Sequence, residues 1–154
     1  MEEDKNSLDA VPIKAIRIQP SQAIYYFNRG ITYSKMGKHK KAIDDFSGAI
    51  HYGSDEFKKE MLVFHFRGQE YTKIGDYEKA IDDFSESIRL RPDYIKSLLM
   101  RGNAFFGAGD KDKTKADFDE YLRRKRKDTD TARRKEISEL FGTKPEDISL
   151  EIIK

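Results

Sequence analysis

Between residues 61 and 92, apolar and small residues recur every three or four positions. Phe64, Gly68 and Tyr71 mark one stretch, and Ala80, Phe84 and Ser87 the next. This spacing predicts two helices. Gly75-Asp76 separates them, with Gly just past a helix end, and Pro92 stops the second. Gly68 has no Cβ, so another helix can approach closely there, at a helix-propensity cost of about 1 kcal/mol.

The same pattern appears twice more. Arg29-Gly30, Arg67-Gly68 and Arg101-Gly102 lie 38 and 34 residues apart. Gly37, Gly75 and Gly109 repeat those two intervals, as do Phe46, Phe84 and Phe118. Three markers sharing one pair of intervals define an internal repeat. Each unit is a helix–turn–helix that cannot bury its apolar face alone, so the units must stack.

Phe64-x2-Arg67-Gly68-x2-Tyr71, followed by Ala80-x3-Phe84 and Pro92, resembles the tetratricopeptide repeat. Arg67 departs from the pattern, which usually has Leu or another apolar residue there. The first unit, 23–56, matches at Tyr26, Gly30, Tyr33, Ala42, Phe46 and Ala49. The middle unit spans 61–94. The third, 95–128, matches at Leu98, Gly102, Phe105 and Phe118 but has Thr114 for the small residue and no closing Pro. The resemblance implies an all-α right-handed solenoid of three helix-turn-helix repeats, with 129–154 holding a C-terminal capping helix and a short tail element.

Outside the repeats, residues 1–22 read as a polar N-terminus and a helical stub. Ala15-Ile16-Arg17-Ile18-Gln19-Pro20 parallels Ser87-Ile88-Arg89-Leu90-Arg91-Pro92, which predicts the end of a preceding second helix over 11–19. Four additional residues lie near Gly53–Lys58, about one helical turn. Ser54, Asp55 and Glu56 suit a helix start, so the next first helix is expected to begin a turn early. A capping helix is expected from Asp130 to Phe141, with Ala132, Ile137, Leu140 and Phe141 on one face. Thr143-Lys144-Pro145-Glu146-Asp147 then looks like a short final helix, while Ile148, Leu150, Ile152 and Ile153 leave strand-like docking open.

Composition narrows the chemistry. Of 154 residues, 38% are charged and 37% hydrophobic, a balance that only periodic placement reconciles with a folded core. The absence of Cys excludes disulfides, Cys-containing metal sites and Cys nucleophiles. His39, His51 and His65 share no ligand spacing, so neither metal nor cofactor is expected. Gly37-Lys38 and Gly107-Ala108-Gly109 are turns in register with Gly75, not phosphate loops. The Asp residues at 44–45, 82–83 and 117–119 recur at the repeat interval and read as solvated surface. The expectation is a non-enzyme. The start Met1-Glu2-Glu3-Asp4-Lys5 is not that of a secretory signal, and no apolar run could cross a membrane. A cytoplasmic protein without membrane insertion is expected.

The resemblance places first helices on the concave face. Offsets from the repeat Gly then give a groove of Ile24, Phe27, Asn28, Ile31 and Lys35, then Leu62, His65, Phe66, Gln69 and Lys73, then Lys96, Leu99, Met100, Asn103 and Phe106. Such an apolar strip with amides implies a scaffold or adaptor. It would hold a peptide or helix of a partner protein within a multiprotein complex, acting as a monomer or weak homo-oligomer. Family members that bind acidic chaperone tails use a clamp of Lys and Asn. Here Phe27, Ile31, Phe66 and Met100 occupy its places and only Lys96 fits; a shift of one repeat makes Asn28 fit but sets Leu62 and Phe66 in place of its Lys and Arg, so that ligand is not carried over.

The alternative surface is basic. Residues 122–135 hold Arg123, Arg124, Lys125, Arg126, Lys127, Arg133, Arg134 and Lys135 against two Asp, a local +6 that leaves −4 for the rest of a chain whose net charge is +2. This segregation fits nucleic acid, an acidic protein or a nuclear-import receptor. The absence of aromatic residues among these charges argues against stacking on single strands.

Overall fold

A computed structural model describes residues 23–141 and 144–147. Three helix pairs follow one another: α1 (Ala23–Lys35) with α2 (His39–Tyr52), α4 (Val63–Lys73) with α5 (Tyr77–Leu90), and α6 (Lys96–Gly107) with α7 (Lys111–Phe141). A short α3 (Asp55–Glu60) lies between the first two pairs, and a single 3-10 turn, Pro145–Asp147, packs on α7. The second helix of each pair also packs against the first helix of the next, giving the expected all-α solenoid.

Within each pair, a phenylalanine ring sits on a glycine. A Cβ at Gly30, Gly68 or Gly102 would lie 2.8, 3.0 or 2.5 Å from a ring carbon of Phe46, Phe84 or Phe118, too close for any side chain without displacement. The turns are built alike. Gly37, Gly75 and Gly109 take φ of +70, +80 and +83°, and the next amide donates to the carbonyl of Tyr33, Tyr71 or Phe105 at 2.9 Å. This closing bond ends the first helix as a left-handed glycine cap.

The repeated arginine makes the other inter-helix contact. Arg29, Arg67 and Arg101 each fork onto one aspartate sixteen residues on, Asp45, Asp83 or Asp117, through two hydrogen bonds of 2.6–2.8 Å. Each guanidinium also lies 5.7–5.9 Å from aromatic rings of its own helix: Tyr26 and Tyr33, Phe64 and Tyr71, and Phe105. Arg67 and Arg101 reach further, to Ser47 and Ser85 of the preceding repeat, at 3.0 and 3.1 Å. The surface reading of the Asp residues is therefore corrected for one member of each set. Asp45, Asp83 and Asp117 are buried and paired, while Asp44, Asp82 and Asp119 are exposed.

Two expected boundaries differ. The four additional residues do not lengthen α4; they form the separate α3, capped by Ser54, whose hydroxyl accepts from the Phe57 amide at 3.1 Å. Leu62, at φ +52°, breaks the chain between α3 and α4. This detour brings Phe57 and Met61 onto the first core cluster, with the Phe57 ring 6.3 Å from Phe27. At the other end, no separate capping helix starts at Asp130, because α7 runs unbroken for 31 residues. No Gly or Pro lies between Gly109 and Gly142, so nothing stops it where Gly53 ends α2 and Pro92 follows α5. Ala132 is exposed; the side chains of Ile137, Leu140 and Phe141 lie outside the description. The stub over 11–19, Thr143 and residues 148–154 are also outside the described residues.

Removing one partner of a buried ion pair strands the other. Asp83→Ala should destabilise the fold by about 2–4 kcal/mol, somewhat below the full cost of an isolated buried charge because Arg67 keeps an edge in water. Urea denaturation of Asp83→Ala, Arg67→Leu and the double variant should show the double costing less than the two singles combined. Additive losses would show that the pair is not a coupled unit.

Candidate partner-binding face and the basic helix

Helices α1, α4 and α6 form one layer, each held at a fixed rotation by its Gly–Phe and Arg–Asp contacts. Of the fifteen sequence-selected groove positions, Ile24, Asn28, Lys35, Lys73, Lys96, Asn103 and Phe106 are exposed. Ile31, Phe66, Gln69, Leu99 and Met100 are half-buried. Phe106 stands out at 70% exposure.

Three positions are corrected. Phe27 is 9% exposed and enclosed by the rings of Phe46, Phe57 and Phe66 at 5.6–6.3 Å, so the inserted α3 has turned a groove position into core. His65 is 3% exposed, inside the interface between the second and third repeats. Leu62 sits beside Phe64, Ser87, Leu90 and Arg91 at the end of α5.

Charge on this layer is one-sided. α1, α4 and α6 together contain one carboxylate, Glu70, and it is 1% exposed. Its oxygens accept from Ser34 Oγ at 2.7 Å, His39 Nδ1 at 2.7 Å and Lys73 Nζ at 2.6 Å, which joins α1, α2 and α4. Burial alone would raise the Glu70 pKa. The bonds from Lys73, Ser34 and His39 outweigh it and hold the carboxyl below its ordinary value. The exposed charges of the layer are consequently all positive: Lys35, Lys73 and Lys96. Sequence reading missed the Glu70 network; its only signal was a lone acid in three otherwise acid-free helices.

The second inter-repeat junction is polar in a different way. His65 Nδ1 and Ser97 Oγ share a hydrogen bond of 2.9 Å, and Ser97 and Ser87 share another of 2.9 Å. Rings of Phe66, Phe84 and Tyr94 surround the imidazole at 5.0–5.8 Å. Burial, reinforced by Lys96, pushes the His65 pKa down to about 4, so the ring is neutral near pH 7.

The eight basic residues all lie on α7. Arg123 and Arg124 both fork or bond onto Glu120 at 2.6–2.7 Å, and Arg124 also donates to the Pro92 carbonyl at 2.9 Å. Those bonds from Arg123 and Arg124 draw the Glu120 carboxyl down to about 2. Lys125 lies 5.9 Å from the Tyr121 ring. Among the described residues there is no cluster of three His, Cys, Asp or Glu that could hold a metal ion, and no helix long and apolar enough to cross a membrane.

These features define a helical-repeat protein, and comparison with known proteins says which kind. Two tetratricopeptide repeat models match, at residues 13–44 and 63–94. The solved second TPR of Spaghetti (RPAP3), bound to HSP90 peptide SRMEEVD, is 30% identical over 68% of this chain and 94% of its own, with a TM-score of 0.60. MamA protein is 21% identical over 78% of this chain and 67% of its own, at a TM-score of 0.67. The first TPR of Spaghetti is 22% identical over 66% and 77%, at 0.59. The last two show the fold alone. No curated protein matches the sequence. The chain belongs to the tetratricopeptide repeat family, and its repeats make it a protein-interaction module.

His65 gives a pH test of the second junction. Its imidazole titrates near 6.5 when unfolded and about 4 when folded, so the unfolded state binds the extra proton between those values. Stability should be full above pH 6.5 and fall by about 2–3 kcal/mol as pH drops toward 4. In urea titrations, His65→Asn should flatten that part of the profile. An unchanged slope would assign it to other groups.

Proposed function

We propose that this protein is a non-catalytic adaptor that holds an extended partner segment along α1, α4 and α6. The segment carries an apolar anchor for the third repeat and acidic residues for the lysines. One observation carries this reading: the layer exposes Phe106, with Leu99 and Met100 half-buried on the same helix, and every exposed charge is cationic. A solvated face has no use for a phenylalanine exposed at 70%, and an acidic segment meets no repulsion here. Asn28, Gln69 and Asn103 add amides able to bond an extended backbone.

The peptide-bound relative supports the peptide mode, since a domain 30% identical holds the peptide SRMEEVD, which combines Met with three acids. The chaperone-tail clamp itself is not matched: Phe27 is core, Ile31, Phe66 and Met100 are apolar, and Lys96 alone fits. Selectivity in this chain accordingly rests on the apolar anchor more than on a carboxylate grip.

An array of acidic peptides with and without Leu, Met or Phe should yield binders only in the apolar-containing set. Phe106→Asp should weaken the best binder at least tenfold, about 1.4 kcal/mol, in calorimetry with unchanged far-UV circular dichroism. Lys35→Glu/Lys96→Glu should weaken it further at low salt. Binding untouched by both variants would move the site elsewhere.

A further inference from the structure

α7 is twice the length its role in the third repeat requires. The other second helices, α2 and α5, have 14 residues each, whereas α7 has 31. Its second half faces solvent: residues 125–133 carry no buried side chain. This is where the basic residues fall. Positions 123, 126, 127, 130 and 134 share one helix face by their three- and four-residue steps, and Arg123, Arg126, Lys127, Asp130, Thr131 and Arg134 line one shallow depression.

The members of that face differ in what they already do. Arg123 is engaged by Glu120. Arg126, Lys127 and Arg134 make no ion pair with any described residue, nor does Asp130. Arg134 is half-buried, and its Nε is enclosed with no hydrogen-bond partner among the described residues.

We propose that this face binds the phosphate backbone of a duplex nucleic acid, independently of base sequence. Three features select this occupant. The depression itself is lined by no apolar residue, the exposed Leu122 lying at its edge, whereas protein interfaces depend on buried apolar or aromatic anchors. No aromatic residue lies between 122 and 135, which removes the stacking platform a single strand needs. The rigid helix holds its cations over about 16 Å from 123 to 134, the axial span of about five phosphates on one strand of a duplex. Guanidinium forks suit phosphate oxygens.

The test is fluorescence anisotropy of the intact 154-residue chain with a 20-base-pair DNA duplex over a salt series. Binding should weaken with salt at a log–log slope of about −3 to −4. Arg126→Gln/Lys127→Gln/Arg134→Gln keeps good helix formers, so circular dichroism should not change. This triple variant should lose at least about 30-fold in affinity at 100 mM salt and flatten the slope to about −1. Lys111→Gln/Lys113→Gln/Lys115→Gln removes the same charge from the other end of α7 and should stay within about threefold of wild type. Equal losses in both triples would reduce the effect to net charge and overturn the proposal. So would absence of duplex binding at 50 mM salt, or tighter binding to polyglutamate or anionic phospholipid vesicles than to the duplex.

Discussion

Each repeat depends on an arginine fork that joins its two helices. The guanidinium lies among aromatic rings of the first helix and spends two donors on an aspartate of the second, at 2.6–2.8 Å. Beside it, the Phe-on-Gly contact brings the helices to a distance that no side chain on the glycine would allow. The two contacts act differently. Burial of Phe46 and Phe84 supplies apolar stabilisation, whereas a buried ion pair adds little net stability but tolerates few geometries. The fork therefore fixes rotation and register. Through Ser47 and Ser85 it passes that register to the next repeat.

The junctions between repeats follow the same logic with other residues. Glu70 ties the first repeat to the second through two donors, Ser34 and His39, and the His65–Ser97–Ser87 chain ties the second to the third. Placing its only carboxylate inside a junction leaves the first-helix layer with a purely cationic exposed charge. Packing and partner chemistry are thus linked: the acid that joins the repeats is the acid withheld from the face. The inserted α3 has a similar double effect, since the ring of Phe57 that seals the first core also covers Phe27.

At the far end, the absence of a helix breaker has a structural result. With no Gly or Pro after Gly109 until Gly142, α7 continues past its repeat and carries the basic residues, with Arg124 and Lys127 still beside Pro92 and Ile95. The described residues then present two cationic surfaces: one across three helices beside the exposed Phe106, the other along a single helix beside the exposed Leu122.

The sequence alone determined the three helix pairs and their glycine turns, though not the separate α3 or the unbroken α7, because the pairs follow from local periodicity and from residues with one conformational role. Gly37, Gly75 and Gly109 at positive φ, and Gly30, Gly68 and Gly102 beneath phenylalanines, were legible from their spacing. The basic segment was legible too, though not which of its cations were already engaged by Glu120. What tertiary structure decided was the fate of polar residues and of half the groove. Asp83 and Asp82 are neighbours of one type; only the fork from Arg67 makes one core and leaves the other in water. Phe27 and Phe106 both read as groove residues, and one is buried because α3 folds over it, while no described residue covers the other. Burial is set by what packs from elsewhere in the chain, and helical periodicity reports a residue's direction but not what it meets there.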